Sequence, residues 1–283
     1  MNEEILRINV DDYIQTGEGG TALTYTKKDG KTLAKLYNLG FDADRAKEEF
    51  LTARMVYEMG LPTPEPYRLV TDGARMGGEY ELIKDKRSFA RIISQEPERL
   101  EEISIEFARM TKELHTMKAD TARMHSFKQL MVSFYQENNV IPQDYKQRVL
   151  NFLEEVPESD RCIHGDLQIG NIISDGKRNL WIDVGQFSYG VAEWDLGTVY
   201  ELSHLKNAEM TNFLLHLQPE TLAAHWDIFF PAYLGTTDPQ RIEDACRRIH
   251  PYVATKVPFM LNLANRMDLI PRATKRLEGL LVS

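Results

Sequence analysis

A run of eight residues, HGDLQIGN from His164 to Asn171, brings an imidazole, a carboxylate and an amide into one short segment. Twelve positions after Asn171, Asp183 begins the triplet DVG. Transfer of a phosphoryl group needs a carboxylate that orients the attacking hydroxyl or accepts its proton, and oxygen-rich side chains that hold Mg²⁺ against nucleotide phosphates. Asp166 suits the first role, and Asn171 and Asp183 suit the second.

Taken one at a time, the same residues have ordinary structural explanations. His164 alone would be a hydrogen-bonded core histidine, Asp183 a capping residue, and Asp175-Gly176 a turn. The strand, turn and strand predicted between Asn171 and Asp183 would fold the chain back, so that both side chains face one ion. Because polar groups at the edges of buried strands are unfavourable without partners, the set as a whole favours chemistry.

A phosphate cradle and a cation both lie within the first forty residues. Gly17, Gly19 and Gly20 stand between two predicted strands, where glycines let backbone N–H groups approach phosphate oxygens. Lys35 lies in an apolar strand, where an ammonium group needs an anionic partner. Glu49, on the predicted helix that follows, shares a face with apolar residues and is the favoured partner; the alternative is a solvated surface glutamate.

The elements around these residues divide into a β-rich front part and a helical remainder. Runs separated by glycine-containing turns predict an antiparallel sheet with one amphipathic helix at 42–59. Beyond it, apolar residues recur at helical spacing, except for β-like pieces between 161 and 183. We therefore predict an α+β fold with two lobes, residues 1–84 for nucleotide binding and residues 85–283 for catalysis and acceptor binding. The predicted strands of the front part are 11–16, 21–27, 31–37, 66–71 and 78–83.

Composition limits the class of protein. The 283 residues include 34 Lys+Arg against 43 Asp+Glu, a formal charge of -9, which argues against nucleic acid as the main ligand. No stretch of about 18 apolar residues suggests a membrane span, and the charged N-terminus does not resemble an export signal. Cys162 and Cys246 show no metal-ligand spacing. We expect a cytoplasmic protein with reduced thiols.

The order of these motifs resembles the protein-kinase-like fold, and more narrowly the family of small-molecule kinases that contains aminoglycoside phosphotransferases and choline kinases. The marks of that branch are Gly165 within HGD, the triplet ELH that ends at His115, and GVAEWDLG over residues 190–197. A protein kinase would carry an activation segment with Ala-Pro-Glu after Asp183, and this sequence has none.

The resemblance implies a nucleotide site in the front lobe. Lys35 would contact the α- and β-phosphates and pair with Glu49. Glu81, Leu82 and Ile83 would form the hinge whose backbone holds the adenine. The cofactors implied are ATP, with GTP as an alternative, and Mg²⁺.

The resemblance also implies roles on the catalytic side. Asp166 would be the catalytic aspartate, and Asn171 and Asp183 the metal ligands. Asp195 would support the catalytic loop from the start of a helix, and His164 would pack beneath that loop.

The function expected is transfer of the γ-phosphoryl group to a hydroxyl of a small molecule of the aminoglycoside, choline-like or sugar type. The partners expected are the nucleotide and this alcohol, in a monomer or homodimer, without nucleic acid or membrane. The alternatives are a nucleotide-binding pseudokinase or regulatory protein of the same fold, a protein kinase, and an unrelated hydrolase. Aromatic residues at helical spacing, such as Trp194, Phe229 and Phe230, are predicted as core rather than as a cage for a quaternary ammonium.

Overall fold

The computed structural model describes residues 4–18 and 20–281. By its contacts the chain divides into two units. The first runs to Ser88 and includes Asn171–Gln186, and the second comprises Phe89–Gly170 and the chain from Phe187 onward. The hairpin that carries Asn171 therefore groups with the first unit, whereas the sequence division at residue 85 had placed it with the helical lobe.

The first unit is built on a six-stranded sheet with the strand order β1-β5-β6-β4-β3-β2. Every neighbouring pair is antiparallel except β1 with β5, which is parallel. The predicted antiparallel sheet is confirmed, but β1 was not predicted, since its three residues are all exposed and show no apolar alternation. The strands are β1 (Ile5–Arg7), β2 (Tyr13–Glu18), β3 (Ala22–Lys27), β4 (Thr32–Tyr37), β5 (Pro66–Thr71) and β6 (Met76–Glu81).

Two glycines let β6 lie close to β4. In the register of this pair, Lys35 is opposite Gly78 and Leu36 is opposite Gly77. A Cβ atom on Gly77 would lie 1.8 Å from Lys35 O, and a Cβ atom on Gly78 would lie 2.5 Å from Phe50 Cδ2. The backbone position of Lys35 therefore depends on the absence of side chains in the facing strand.

One helix, α1 (Ala43–Glu58), packs on this sheet, as the sequence predicted. It begins after Asp42, whose carboxylate accepts hydrogen bonds from the first turn, and it is followed by Gly60 in the left-handed conformation. Its buried face includes Phe50 and Val56. This face sets the direction in which Glu49, next to Phe50, projects.

A second, three-stranded sheet in the first unit has the order β10-β9-β7, and its strands are β7 (Arg87–Ser88), β9 (Ile172–Ser174) and β10 (Asn179–Trp181). The hairpin of β9 and β10 turns at Gly176, which has a φ of 84°. Trp181 ties it to the rest of the unit, because Thr63 Oγ1 donates to Trp181 O at 2.9 Å and Trp181 N donates to Pro62 O at 2.8 Å.

The second unit is mainly helical, as predicted. Its one antiparallel strand pair joins β8 (Cys162–Ile163) to β11 (Ser188–Tyr189) within the described residues. Trp194, Phe229 and Phe230 are buried, which confirms that they belong to the core. No described helix has both the length and the apolar character needed to cross a membrane. The helices are α2 (Phe89–Gln95), α3 (Leu100–Thr116), α4 (Phe127–Glu137), α5 (Gln143–Glu155), α6 (Glu193–Ser203), α7 (Ala208–Leu215), α8 (Pro219–Leu234), α9 (Pro239–Leu263) and α10 (Ile270–Leu277).

The long helix α9 continues through two interior prolines. Pro258 has no N–H, so the carbonyl of Ala254 loses its usual partner one turn later. Tyr145 of α5 donates its hydroxyl to Ala254 O at 2.8 Å, and Tyr135 of α4 donates to Thr255 O at 2.7 Å. The hydroxyl of Tyr145 therefore replaces the donor that Ala254 loses to Pro258, and the hydroxyl of Tyr135 adds a donor to the next carbonyl.

Candidate active site

Lys35 and Asp183 form an ion pair within the first unit. Lys35 Nζ donates to Asp183 Oδ1 at 2.8 Å. Burial alone would lower the pKa of Lys35, but the adjacent Asp183 carboxylate raises it above its usual value. The Asp183 side chain is half exposed, at 53 % of its full accessibility, so this carboxylate has a side open to further ligands.

Asn171 lies just before β9 and Asp183 just after β10, both at the end of the hairpin opposite its turn. Ile182 N donates to Asn171 O at 2.9 Å, which holds the two ends together. Asp183 has a φ of 55°, a left-handed conformation that non-glycine residues seldom adopt and that is concentrated at functional sites. The predicted strand-turn-strand arrangement is confirmed, and it brings an amide and a carboxylate to the same end of a hairpin.

Glu49 does not pair with Lys35, contrary to the expected arrangement. Its carboxylate accepts a hydrogen bond from the hydroxyl of Tyr37 and lies 3.6 Å from Arg45 Nε. Tyr37 follows Lys35 by two residues on the same face of β4, so its ring, 5.4 Å from Lys35 Nζ, reaches the carboxylate in place of the lysine. Tyr37 was not singled out in the sequence; an aromatic residue at the i+2 position was the available signal.

Gly185, the third residue of DVG, faces Glu49. A Cβ atom at Gly185 would lie 2.9 Å from Glu49 Cγ and 3.0 Å from its Oε2. The segment that follows Asp183 therefore packs on α1 beside the Glu49 carboxylate, and a side chain at this position would displace it.

The glycine-rich turn lies between β2 and β3. Gly17 is within β2, and a Cβ atom there would lie 2.5 Å from Thr24 Oγ1 in the facing strand. Gly20 lies in the turn, where Asn38 Nδ2 donates to its carbonyl at 3.2 Å. Gly19, the third predicted glycine of the cradle, lies outside the described residues.

The predicted hinge follows β6, which ends at Glu81. Glu81 N donates to Glu65 O at 2.8 Å, and its carboxylate accepts from Arg178 at 2.9 Å. Leu82 is half-buried, and Ile83 is buried in an apolar cluster of the first unit. That cluster consists of Ile83, Ile173 and Leu180, with Ile182 packed against it.

The loop that carries Asp166 belongs to the second unit and follows β8. Asp195, in the first turn of α6, accepts hydrogen bonds from His164 N at 2.6 Å and Gly165 N at 2.9 Å. Asp166 N donates to Nδ1 of the buried His164 at 3.3 Å. Both backbone donors before Asp166 are thus fixed by one buried carboxylate.

His115 and Lys256 lie beside the Asp195 carboxylate, and Tyr233 lies beside His115. His115 Nε2 lies 3.1 Å from Asp195 Oδ2, and its Nδ1 lies 2.9 Å from the hydroxyl of Tyr233. Lys256 Nζ lies 3.9 Å from Asp195 Oδ1. Burial would raise the pKa of Asp195, but the His115 hydrogen bond and the Lys256 charge bring it below its usual value. Lys256 was not identified from the sequence, although a lysine inside the apolar run VATKVPF was a signal of a paired buried cation.

The donors suited to a metal are few. Among the described residues no group of three or more His, Cys, Asp or Glu side chains is placed to hold an ion. Mg²⁺ in nucleotide sites takes only one or two protein side chains, with phosphate oxygens and waters completing its coordination. The amide of Asn171 and the carboxylate of Asp183 fit that limited demand.

A family model matches this chain in sequence, and solved structures share its fold. The model of the phosphotransferase enzyme family, APH, matches residues 14–228. No curated protein sequence matches the chain. A solved choline/ethanolamine kinase family protein from Mesorhizobium loti is 16% identical with a TM-score of 0.58, covering 96% of this chain and 88% of that one.

Two further solved structures share the fold. A thermostable mutant of aminoglycoside phosphotransferase APH(4)-Ia, in a ternary complex with ADP and hygromycin B, is 12% identical with a TM-score of 0.63, covering 95% of this chain and 93% of that one. Choline kinase LicA from Streptococcus pneumoniae is 12% identical with a TM-score of 0.54, covering 98% of this chain and 94% of that one. With three quarters of its length matched by the family model, the chain belongs to the phosphotransferase enzyme family and is a small-molecule kinase of the protein-kinase-like fold.

Proposed function

We propose that this protein transfers the γ-phosphoryl group of ATP, or of GTP, to a hydroxyl group of a small molecule, with Mg²⁺ as cofactor. The observation that carries the proposal is the Lys35–Asp183 pair, 2.8 Å apart, in the same unit as Asn171. A cation for phosphates and two oxygen donors for Mg²⁺ are the minimum set that phosphoryl transfer requires.

The first unit has the parts that a nucleotide needs. The backbone of Glu81 and Leu82 would hold the adenine, and the buried apolar cluster around Ile83 would support this segment from below. Lys35 would move from Asp183 to the α- and β-phosphates, and the backbone near Gly17 and Gly20 would approach the phosphate oxygens. Glu49 would act indirectly, by holding Tyr37 and the segment at Gly185 in place rather than by contacting the nucleotide.

Asn171 and Asp183 would hold Mg²⁺. When bound, the ion would neutralise charge on the phosphate oxygens and favour departure of the nucleoside diphosphate. The half-exposed Asp183 carboxylate can accept this role once Lys35 is drawn to phosphate, because the two cations then no longer compete for one oxygen.

Asp166 would orient the acceptor. Its carboxylate would accept a hydrogen bond from the substrate hydroxyl and take its proton as the oxygen bonds to the γ-phosphorus and the bond to the β-phosphate oxygen breaks. Asp195 would keep the loop in place through the N–H groups of His164 and Gly165. Positioning and charge neutralisation would supply most of the rate enhancement.

The acceptor is expected to be an aminoglycoside, a choline-like amino alcohol or a sugar. The fold is shared with a hygromycin B complex and with a choline kinase, which supports those classes as the first to test. The chain's formal charge of -9 suits a cationic acceptor.

The experiment is a coupled assay of nucleotide consumption with Mg²⁺ and either ATP or GTP over a panel of these alcohols. Acceptor-dependent turnover that is lost in Asp166→Asn supports the proposal. Asp144→Asn, an exposed aspartate in the first turn of α5, is the matched control and should retain turnover. Turnover that persists in Asp166→Asn would show that this carboxylate is not the base, and nucleotide binding without turnover on any acceptor would favour the pseudokinase alternative.

A further inference from the structure

Lys256 of α9 is a lysine almost wholly removed from solvent, with 1 % of its surface exposed. Its ammonium donates to Trp194 O at 3.0 Å and to Thr198 Oγ1 at 2.5 Å, and it lies 3.9 Å from Asp195 Oδ1. All three contacts are to the first turn and a half of α6. The ammonium is therefore directed at one short segment, the segment that carries Asp195.

The Asp195 carboxylate is fully buried; burial would raise its pKa, but the His115 hydrogen bond and the Lys256 charge hold it below its usual value. The groups that face it from neighbouring elements are His115 of α3 and the backbone N–H groups of His164 and Gly165. A buried carboxylate without a counter-charge is strongly unfavourable, and backbone N–H groups carry only partial charge.

Other titratable side chains also face Asp195 and Lys256. They are the imidazoles of His115 and His164, the carboxylate of Asp166, and the hydroxyl of Tyr233, which contacts His115. Lys256 is the residue in this group with an ammonium group: burial lowers its pKa, and the nearby carboxylates of Asp195 and Asp166 oppose that shift.

The backbone of Lys256 is itself held in place. Its preceding neighbours in α9, Ala254 and Thr255, are bonded through their carbonyls to Tyr145 and Tyr135. The ammonium of Lys256 lies over the ring of Phe127, 5.1 Å from the ring centroid. The ammonium thus projects from a fixed point toward α6.

We propose that Lys256 is a positioning residue for phosphoryl transfer: its ammonium neutralises Asp195, so that the carboxylate keeps the N–H groups of His164 and Gly165 in place and Asp166 in its working orientation. The inference rests on the proposed role of Asp166. It adds a residue about 90 positions further along the chain to the machinery of the catalytic loop.

The first test is Lys256→Met, which removes the charge but keeps an unbranched stem. If the loop is displaced, kcat should fall by about 10²-fold, since small misplacements of catalytic groups have effects of this size. The KM for Mg-ATP should stay near the wild-type value, because the proposed nucleotide residues belong to the first unit. Lys146→Met is the matched control, a lysine buried in α5 away from Asp195, and should leave kcat unchanged.

The second test removes both charges. If Lys256 acts as the counter-charge, Lys256→Met should lower the unfolding midpoint, and adding Asp195→Asn should raise it again. A lysine that merely fills space predicts the opposite, because methionine packs well in apolar surroundings and would be neutral or stabilising. This readout needs no acceptor, so it separates failure of the inference from failure of the proposed function.

Any of three results overturns the inference. One is a Lys256→Met protein with wild-type kcat. Another is a double variant no more stable than Lys256→Met alone. A fall in kcat accompanied by an equal rise in the KM for Mg-ATP would also contradict it, since that pattern indicates that nucleotide binding in the first unit is disturbed as well.

Discussion

Lys35 Nζ and Asp183 Oδ1 lie 2.8 Å apart although 148 positions separate the two residues. The proposed phosphate ligand and the proposed metal ligand thus neutralise each other in the structure. Binding of a Mg-nucleotide would exchange this one contact for two, lysine with phosphate and carboxylate with metal. Each of the two residues therefore has an oppositely charged partner both before and after the nucleotide binds.

Asp183→Asn should abolish most activity without unfolding the protein. Loss of a charged ligand at the transferring phosphate should lower kcat by about 10²-fold or more. Because the ion pair is partly exposed, its loss should change the free energy of unfolding by less than about 1 kcal/mol. The measurements are kcat and the thermal shift produced by Mg-ATP, which should shrink. If kcat and the thermal shift with Mg-ATP both stay near their wild-type values in the variant, Asp183 is not a metal ligand.

Tyr37→Phe should release Glu49 while keeping the ring stacked on Phe41, 4.4 Å away. Without the tyrosine hydroxyl, the Glu49 carboxylate keeps only the longer contact with Arg45. We expect about 1 kcal/mol less stability, the usual value of a hydrogen bond, and a higher KM for Mg-ATP. The control is Tyr57→Phe, which changes an exposed tyrosine of α1, the helix that carries Glu49. If the two variants behave alike, the Tyr37 contact has no role in the site.

Gly77→Ala should be far more damaging than its size suggests. The added Cβ atom would lie 1.8 Å from Lys35 O, so β4 and β6 must separate. Overpacking of this kind costs about 1–3 kcal/mol, and displacement of Lys35 should also raise the KM for Mg-ATP. Gly279→Ala is the control, since nothing lies within 4 Å of its added atom. Equal unfolding midpoints for the two variants would contradict the close approach of these strands.

His225 should make the protein less stable in mild acid. It is buried in α8, with Nδ1 2.9 Å from Ser104 Oγ, and burial lowers its pKa to about 3. Since an unfolded histidine titrates near 6.5, the unfolded chain binds a proton between pH 6.5 and 3 that the folded chain does not. Stability from this group is complete above pH 6.5 and falls as the pH falls.

Chemical denaturation at pH 7 and pH 5 checks the effect of His225. The free energy of unfolding should fall by about 2 kcal/mol more in the wild type than in His225→Gln over this interval. Only the pH-dependent difference matters, because the substitution also changes packing. The same pH dependence in both proteins would show that His225 accepts a proton in the folded state.

Sequence reasoning succeeded where spacing along the chain determines contact. The strands around Lys35, the helix 43–58 and the hairpin between Asn171 and Asp183 follow from local periodicity and turn residues, which act over a few positions. The short strand β7 was missed, because two residues carry no periodicity and its pairing with β9 is a long-range contact.

The partners of charged residues were harder to predict. Glu49 was expected to pair with Lys35, but its carboxylate accepts a hydrogen bond from Tyr37 instead. The sequence pattern places both residues on one face of the strand and does not show which of them contacts the carboxylate. The same limit applies to Lys256, whose partners on α6 lie about 60 positions away. The roles of Asp166, Asn171 and Asp183 in catalysis stay predictions.

The tyrosine contacts to α9 have a consequence for the order in which the chain can fold. The hydroxyls that bond Ala254 and Thr255 come from residues 109 and 120 positions earlier in the chain. During synthesis α4 and α5 leave the ribosome before α9, so α9 can form against tyrosine hydroxyls that are already in place to donate to its carbonyls. An isolated peptide of residues 239–263 would lack those donors and should fray around Pro258, so the long helix is a product of docking rather than a folding nucleus.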